Sequence, residues 1–260
     1  MKTVESLGSS LLASLEQTGR TFLLLLIIAY RIVQPPYNLY PIVRQIYFIG
    51  ARSLGVIVIS GVTIGMVLGL QFYNTLERFG SVDILGSAVA LSVLRELGPV
   101  MTALMVVGRA GSAICAELGI MRISEQVDAL ECMAINPDKF LVAPKLLAGI
   151  ISVPLLTCVF SVVAIFGGYF VGVVLFGVSE GSYLNGMIDA VVWSDVRLGL
   201  VKSLIFGLLV TLICCSKGFY IHLTKSGSLG AEGVSYVTTD AVVISSIAVL
   251  FSDFLIGAIL

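Results

Sequence analysis

Long apolar runs separated by short polar stretches dominate this chain, and their length decides its class. Crossing the hydrocarbon core takes about 17–25 predominantly apolar residues in a helix. Five segments meet that length: Leu54–Leu70, Ile84–Val107, Leu146–Gly177, Leu198–Tyr220 and Ala241–Leu260. A sixth run, Phe22–Tyr30, is too short to cross, and Arg31 and Pro35–Pro36 close it because the residue before a proline avoids the helical region. Residues 1–36 therefore predict an N-terminal helix lying in the membrane interface. Residues 41–260 predict the five-span core of a single all-α integral membrane domain.

The pattern also marks where helices meet or bend. Gly61, Gly65 and Gly69 repeat every fourth residue in span one, a small-residue face that lets another helix approach closely, within the subunit or across a dimer. Arg95–Glu96 followed by Gly98–Pro99 predicts an interruption of span two, since proline removes a backbone donor. Pro154 predicts a kink in span three. No internal repeat is visible, which argues against the duplicated halves common in secondary transporters.

Composition confirms the solvent. Hydrophobic residues make up 58% and charged residues 12% of the 260 positions, against about 25% charged in soluble domains. With a mean hydropathy of +1.06, such a chain has too little polar surface to face water alone. The net charge of −1 argues against nucleic acid as a partner. The five cysteines show no CxxC spacing and read as small hydrophobes, and His222 is the only histidine, so a metal site is not expected. No small-residue cleavage site follows Thr21–Val33, so a cleavable signal is not expected either. With the N-terminus in the cytoplasm, eleven of the fifteen Lys and Arg fall on the cytoplasmic side. Only Arg78 and Arg197 fall outside, which predicts an N-in, C-out topology.

Charge inside and beside the spans then points to chemistry. Arg109–Lys139, between spans two and three, is the most charged stretch. Within it Ser124 is placed to cap a short helix over Glu125–Ala134, stopped by Asn136–Pro137. Val127, Leu130, Met133 and Ala134 form its apolar face, suited either to docking on a soluble partner or to a plain connecting helix. The chain has no glycine-rich phosphate loop ending in lysine and a hydroxyl residue, and Gly227–Gly233 lacks the lysine, so any ATP-driven motor belongs to another subunit.

Arg95 and Glu96 are the strongest site candidates, because a charge at mid-membrane costs at least ~2.5–3.5 kcal/mol and normally faces a wet interior. Lys202 lies near the outer end of span four, where snorkelling explains it, and Asp253 in span five needs a partner, Lys202 among the choices. An ion-coupled carrier or channel using Glu96 or Asp253 is the alternative reading. An aspartyl dyad of Asp240 and Asp253 is excluded within one chain, since thirteen residues of helix separate them by about 20 Å.

Four stretches carry a family likeness: Leu94–Pro99 (LRELGP), Gly108–Met121, Ser124–Pro137 (SEQVDALECMAINP) and Gly233–Ser246. They resemble the MlaE-type permeases, membrane subunits of MCE-associated ABC lipid transporters, over residues from about Pro41 onward. The resemblance implies a homodimer in the inner membrane, cytoplasmic ABC ATPases that bind ATP and Mg, an MCE-domain partner on the outer side, and phospholipid as cargo. It implies no cofactor on this chain. By the same likeness Arg95, Glu96, Leu97 and Lys202 line a lipid cavity, with Leu68, Leu76 and Phe79 against acyl chains. Glu125, Gln126, Asp128, Leu130, Glu131, Met133 and Asn136 then belong to a coupling helix that meets the ATPase.

Overall fold

The computed structural model describes residues 16, 18–30, 39–223 and 230–259. Much of the predicted interfacial region (1–15, 17 and 31–36) and the glycine-bearing residues 227–229 lie outside them. The described residues are helical apart from short connections, with five segments long and apolar enough to cross a membrane: Leu39–Arg78, Val82–Ile123, Asp138–Leu175, Trp193–Phe219 and Ala231–Ile259. Each is longer than its apolar run, because the helices continue past the hydrocarbon limit into polar flanks. A thirteen-residue helix, α1 (Thr18–Tyr30), precedes them and is too short to span. Leu24 and Ile28 on α1 are fully buried, while Phe22, Leu23, Leu26 and Tyr30 stay exposed. Thr21 Oγ1 meets Ser216 Oγ at 2.8 Å and ties α1 to the bundle.

Span one comprises α2 (Leu39–Ile49), a tight turn at Ala51–Ser53 and α3 (Leu54–Arg78). Span two is α4 (Leu85–Ser92), α5 (Gly98–Val106) and α6 (Ser112–Ile123). These are joined by five-residue π-turns at Val93–Leu97 and Val107–Gly111. A short helix, α7 (Gln126–Cys132), follows. Span three is a π-turn at Asp138–Val142, α8 (Ala143–Tyr169) and a further π-turn at Phe170–Leu175. Next come α9 (Glu180–Ala190), which no apolar run announced, then α10 (Trp193–Phe219) as span four and α11 (Ala231–Ile259) as span five. Helix α8 runs through Pro154 without a break.

Helix α10 is the axis of the bundle, packed on α8, α11, α6 and α5, and α11 is the least enclosed span. Helix α7 lies at one end of the bundle, and α9 at the other, against α4. The glycine stripe of α3 faces α8 within the same subunit, which resolves one of the two readings its spacing allowed. At Gly65 the backbones approach so closely that any Cβ would lie on the Ala164 carbonyl. At Gly61 the nearest atom, Phe160 O, is 3.3 Å away. Gly65→Ala is therefore expected to destabilise the protein by about 1–3 kcal/mol or more, and Gly61→Ala by clearly less. Thermal unfolding in detergent measures both, and equal effects would mean that the helices slide apart at no cost.

Candidate functional site

Span two does not break at Gly98–Pro99 as its sequence predicted. The Gly98 N–H reaches back five residues to Val93 O, so a π-turn absorbs the missing proline donor and the helix continues. That turn holds Arg95, Glu96 and half-buried Leu97. Gly199 lets α10 press against it, since a Cβ there would strike the Leu94 carbonyl. The π-turn thereby presents two consecutive charges to α10, a placement typical of functional sites.

Arg95 and Glu96 do not pair with each other; each takes a different residue of α10. Arg95 donates through Nε to Asp195 Oδ1 at 2.9 Å, and its Nη2 lies 2.6 Å from the same oxygen. The other oxygen, Asp195 Oδ2, accepts the Val192 N–H at 3.0 Å. Asp195 is buried, whereas the Arg95 side chain remains 51% exposed, so the arginine is anchored at one edge and open at the other. Lys202 is fully buried and donates to Glu96 Oε2. Its Nζ also lies 2.9 Å from Asp253 Oδ1 on α11, an ion pair that leaves that oxygen without an aligned hydrogen bond. Any Cβ at Gly257 would sit 3.7 Å from both Glu96 Oε1 and Lys202 Nζ, so α11 passes directly beside the pair.

Two cations and three carboxylates thus meet where spans two, four and five converge. Lys202 does not snorkel, because span two and α11 cover it. The apolar pattern does not single out Asp195, because the apolar run of span four starts only at Leu198 whereas its helix starts at Trp193. The signal was an acid in the first turn of a helix ahead of an apolar run. Asp240 and Asp253 sit in separate ion pairs, the former with Lys217. Leu68 and Leu76 are half-buried on α3 and Phe79 is exposed at its end. All three stand on a helix that packs chiefly against α8 rather than on the charge cluster.

Helix α7 forms the second constellation, with two departures from expectation. Ser124 does not cap it: its Oγ donates back to Ile120 O at 2.7 Å, and Glu125, left-handed at φ 58°, precedes the first turn. The helix ends at Cys132, before Asn136–Pro137, in a Schellman turn in which Ile135 N–H reaches Leu130 O and left-handed Ala134 N–H reaches Glu131 O. The predicted apolar face divides. Val127 is buried and Leu130 half-buried against the bundle, whereas Met133 is 61% exposed. Glu125, Gln126, Asp128, Glu131 and Asn136 are exposed with it. Arg122 orients the helix, donating to Asp128 Oδ1 at 2.7 Å and to His222 Nδ1 at 3.1 Å. Burial first, then the Arg122 guanidinium, pulls the His222 pKa below its ordinary value, which keeps that ring an acceptor. Nearby, Lys145 on α8 is buried and meets Glu117 of α6 at 2.5 Å.

Five apolar spans, three of them joined by an ionic cluster, define a multi-pass membrane protein. The particular family follows from comparison. Residues 42–259 match the family model described as Permease MlaE, and the chain belongs to that family. It is 44% identical over 220 residues to the "Intermembrane phospholipid transport system permease protein MlaE" of Haemophilus influenzae, covering 84% of this chain and 82% of that protein. A "Probable ABC transporter permease protein" of Rickettsia prowazekii is 38% identical over 256 residues, 98% of this chain and 96% of its own length. The chloroplastic protein TRIGALACTOSYLDIACYLGLYCEROL 1 of Arabidopsis thaliana is 33% identical over 215 residues, 83% of this chain and 60% of its own.

Proposed function

We propose that this chain is the non-catalytic membrane subunit of an ATP-driven transporter that moves phospholipid between the inner membrane and an MCE-domain partner on the outer side. In this reading two copies form the pathway, and separate cytoplasmic ABC ATPases bind ATP and Mg. The family and the names of its relatives supply the ABC and phospholipid terms. The observation that carries the reading on this chain is the half-exposed Arg95, anchored by buried Asp195 beside the Glu96–Lys202–Asp253 group.

Arg95 spends Nε and Nη2 on Asp195, and Nη1 has no hydrogen-bond partner among the described residues. An oriented guanidinium with free donors suits a lipid phosphate, where charge-assisted contacts are strong. The apolar wall comes from α11, whose Ile247, Leu250, Phe251 and Phe254 are exposed, and such a face also suits a second copy of the chain. Helix α7, at the opposite end from α9, serves as the coupling element on the cytoplasmic side. An ion-coupled carrier would need a carboxylate free to trade its counter-ion, and both Glu96 and Asp253 share Lys202.

Mass spectrometry of lipid retained by the purified protein tests the reading. Arg95→Ala and Glu96→Ala are each expected to lower retained phospholipid about tenfold or more, the scale of a lost charge-assisted contact. Retention and transport unchanged in both variants would remove the cluster from the pathway.

A further inference from the structure

On the side of Arg95 toward α7, span two carries a second cationic feature. Where α2 gives way to α3, Arg52 in the connecting turn places its guanidinium carbon 5.9 Å from the centroid of the Phe48 ring. Arg109, from the π-turn Val107–Gly111 of span two, places its own 5.6 Å from the same ring. The Arg109 group is clamped in place. Its Nη1 donates to Phe48 O at 3.0 Å and to Ser53 Oγ at 2.7 Å, and the buried Ser53 hydroxyl donates onward to Ile49 O at 2.6 Å.

Two like charges drawn to one ring repel, so the arrangement calls for an anion. No carboxylate of the described residues supplies it, for neither Arg52 nor Arg109 forms an ion pair among them. Arg95, Arg122, Lys145, Lys202 and Lys217 each hold one. Arg52 is exposed and Arg109 half-buried with part of its surface open, so an anion can reach both. Fourteen residues of helix separate Arg109 from Arg95, about 21 Å along the axis, so the two sites are distinct.

We propose that Arg52, Phe48 and Arg109 form a phosphate site at the level where α3 enters the membrane. The ligand is either the headgroup phosphate of a phospholipid in the adjoining leaflet or a free phosphate ion. Guanidinium groups match tetrahedral oxyanions through paired N–H donors, and Phe48 holds both in register. The site stands on its own geometry and does not depend on the transport reading of the Arg95 cluster.

Delipidated full-length protein is equilibrated with phosphatidylglycerol or with diacylglycerol, which lacks the phosphate, and bound lipids are counted by native mass spectrometry. Arg52→Glu is expected to lower retained phosphatidylglycerol about tenfold at one site while leaving diacylglycerol unchanged. The population it removes is the one that Arg95→Ala retains. Arg109→Lys, which keeps the charge but loses the fork, is expected to weaken the same population. Titration with inorganic phosphate assigns the source. Lipid that resists displacement marks a headgroup site, and calorimetric binding of phosphate alone, lost in Arg52→Glu, marks a free-ion site. Equal phosphatidylglycerol retention in wild type and both variants, with no phosphate binding in any, overturns the proposal.

Discussion

Replacing Lys202 with methionine is expected to destabilise the protein by about 3–5 kcal/mol, because it leaves two carboxylates without their shared cation. Lys202 is fully buried on the central helix, and both Glu96 and Asp253 depend on it. The loss reads out as a lower unfolding temperature in detergent and less folded protein in the membrane. Adding Glu96→Gln and Asp253→Asn to the same chain removes the stranded charge and is expected to restore much of that stability, since buried ion pairs are often replaceable by neutral groups. Transport then separates the two roles of the cluster. A stable triple variant that no longer retains or moves lipid places the charges in the pathway. A stable triple variant with wild-type transport makes them a structural clamp and sinks the proposed site.

This pairing shows where sequence reading stops. Spans are legible because hydrocarbon imposes a length, and all five apolar runs become helices. Their ends are not legible from apolar content alone: span two runs on to Ile123, past the predicted Val107, because a helix may protrude beyond lipid. Which charge meets which depends on how each helix is rotated about its axis, and every π-turn adds a residue and turns the downstream face. Span two has two such turns, around Arg95 and around Arg109, so ideal 3.6-residue spacing misplaces both neighbourhoods. Lys202 looked peripheral because its depth along α10 was readable while the covering from span two and α11 was not. Asp195 is illegible for the converse reason: it lies in the first turn of a helix, ahead of the apolar run, yet it is buried.

Helix α7 was a mixed case, with its existence and charge legible and its predicted apolar face divided between the bundle and the outside. Of the four residues expected to form a docking face, Val127 and Leu130 anchor the helix to its own subunit, while Met133 and Ala134 join the polar side on the outward surface. That division makes the coupling role testable without damaging the fold. Glu131→Lys combined with Met133→Asp changes only exposed groups, so unfolding temperature is expected to stay within the small range of surface substitutions, about ±0.5 kcal/mol. If the ATPase seats on this face, co-purification of the nucleotide-hydrolysing subunit is expected to fall about tenfold or more, the scale of losing a central interface residue. Arg122→Ala approaches the same interface from within. It leaves every exposed residue in place but releases Asp128 and His222, so binding is expected to weaken less than coupling between ATP hydrolysis and transport. Wild-type ATPase capture and coupling in the Glu131–Met133 variant would show that the partner docks elsewhere, and that α7 is a connecting helix held shut by Arg122.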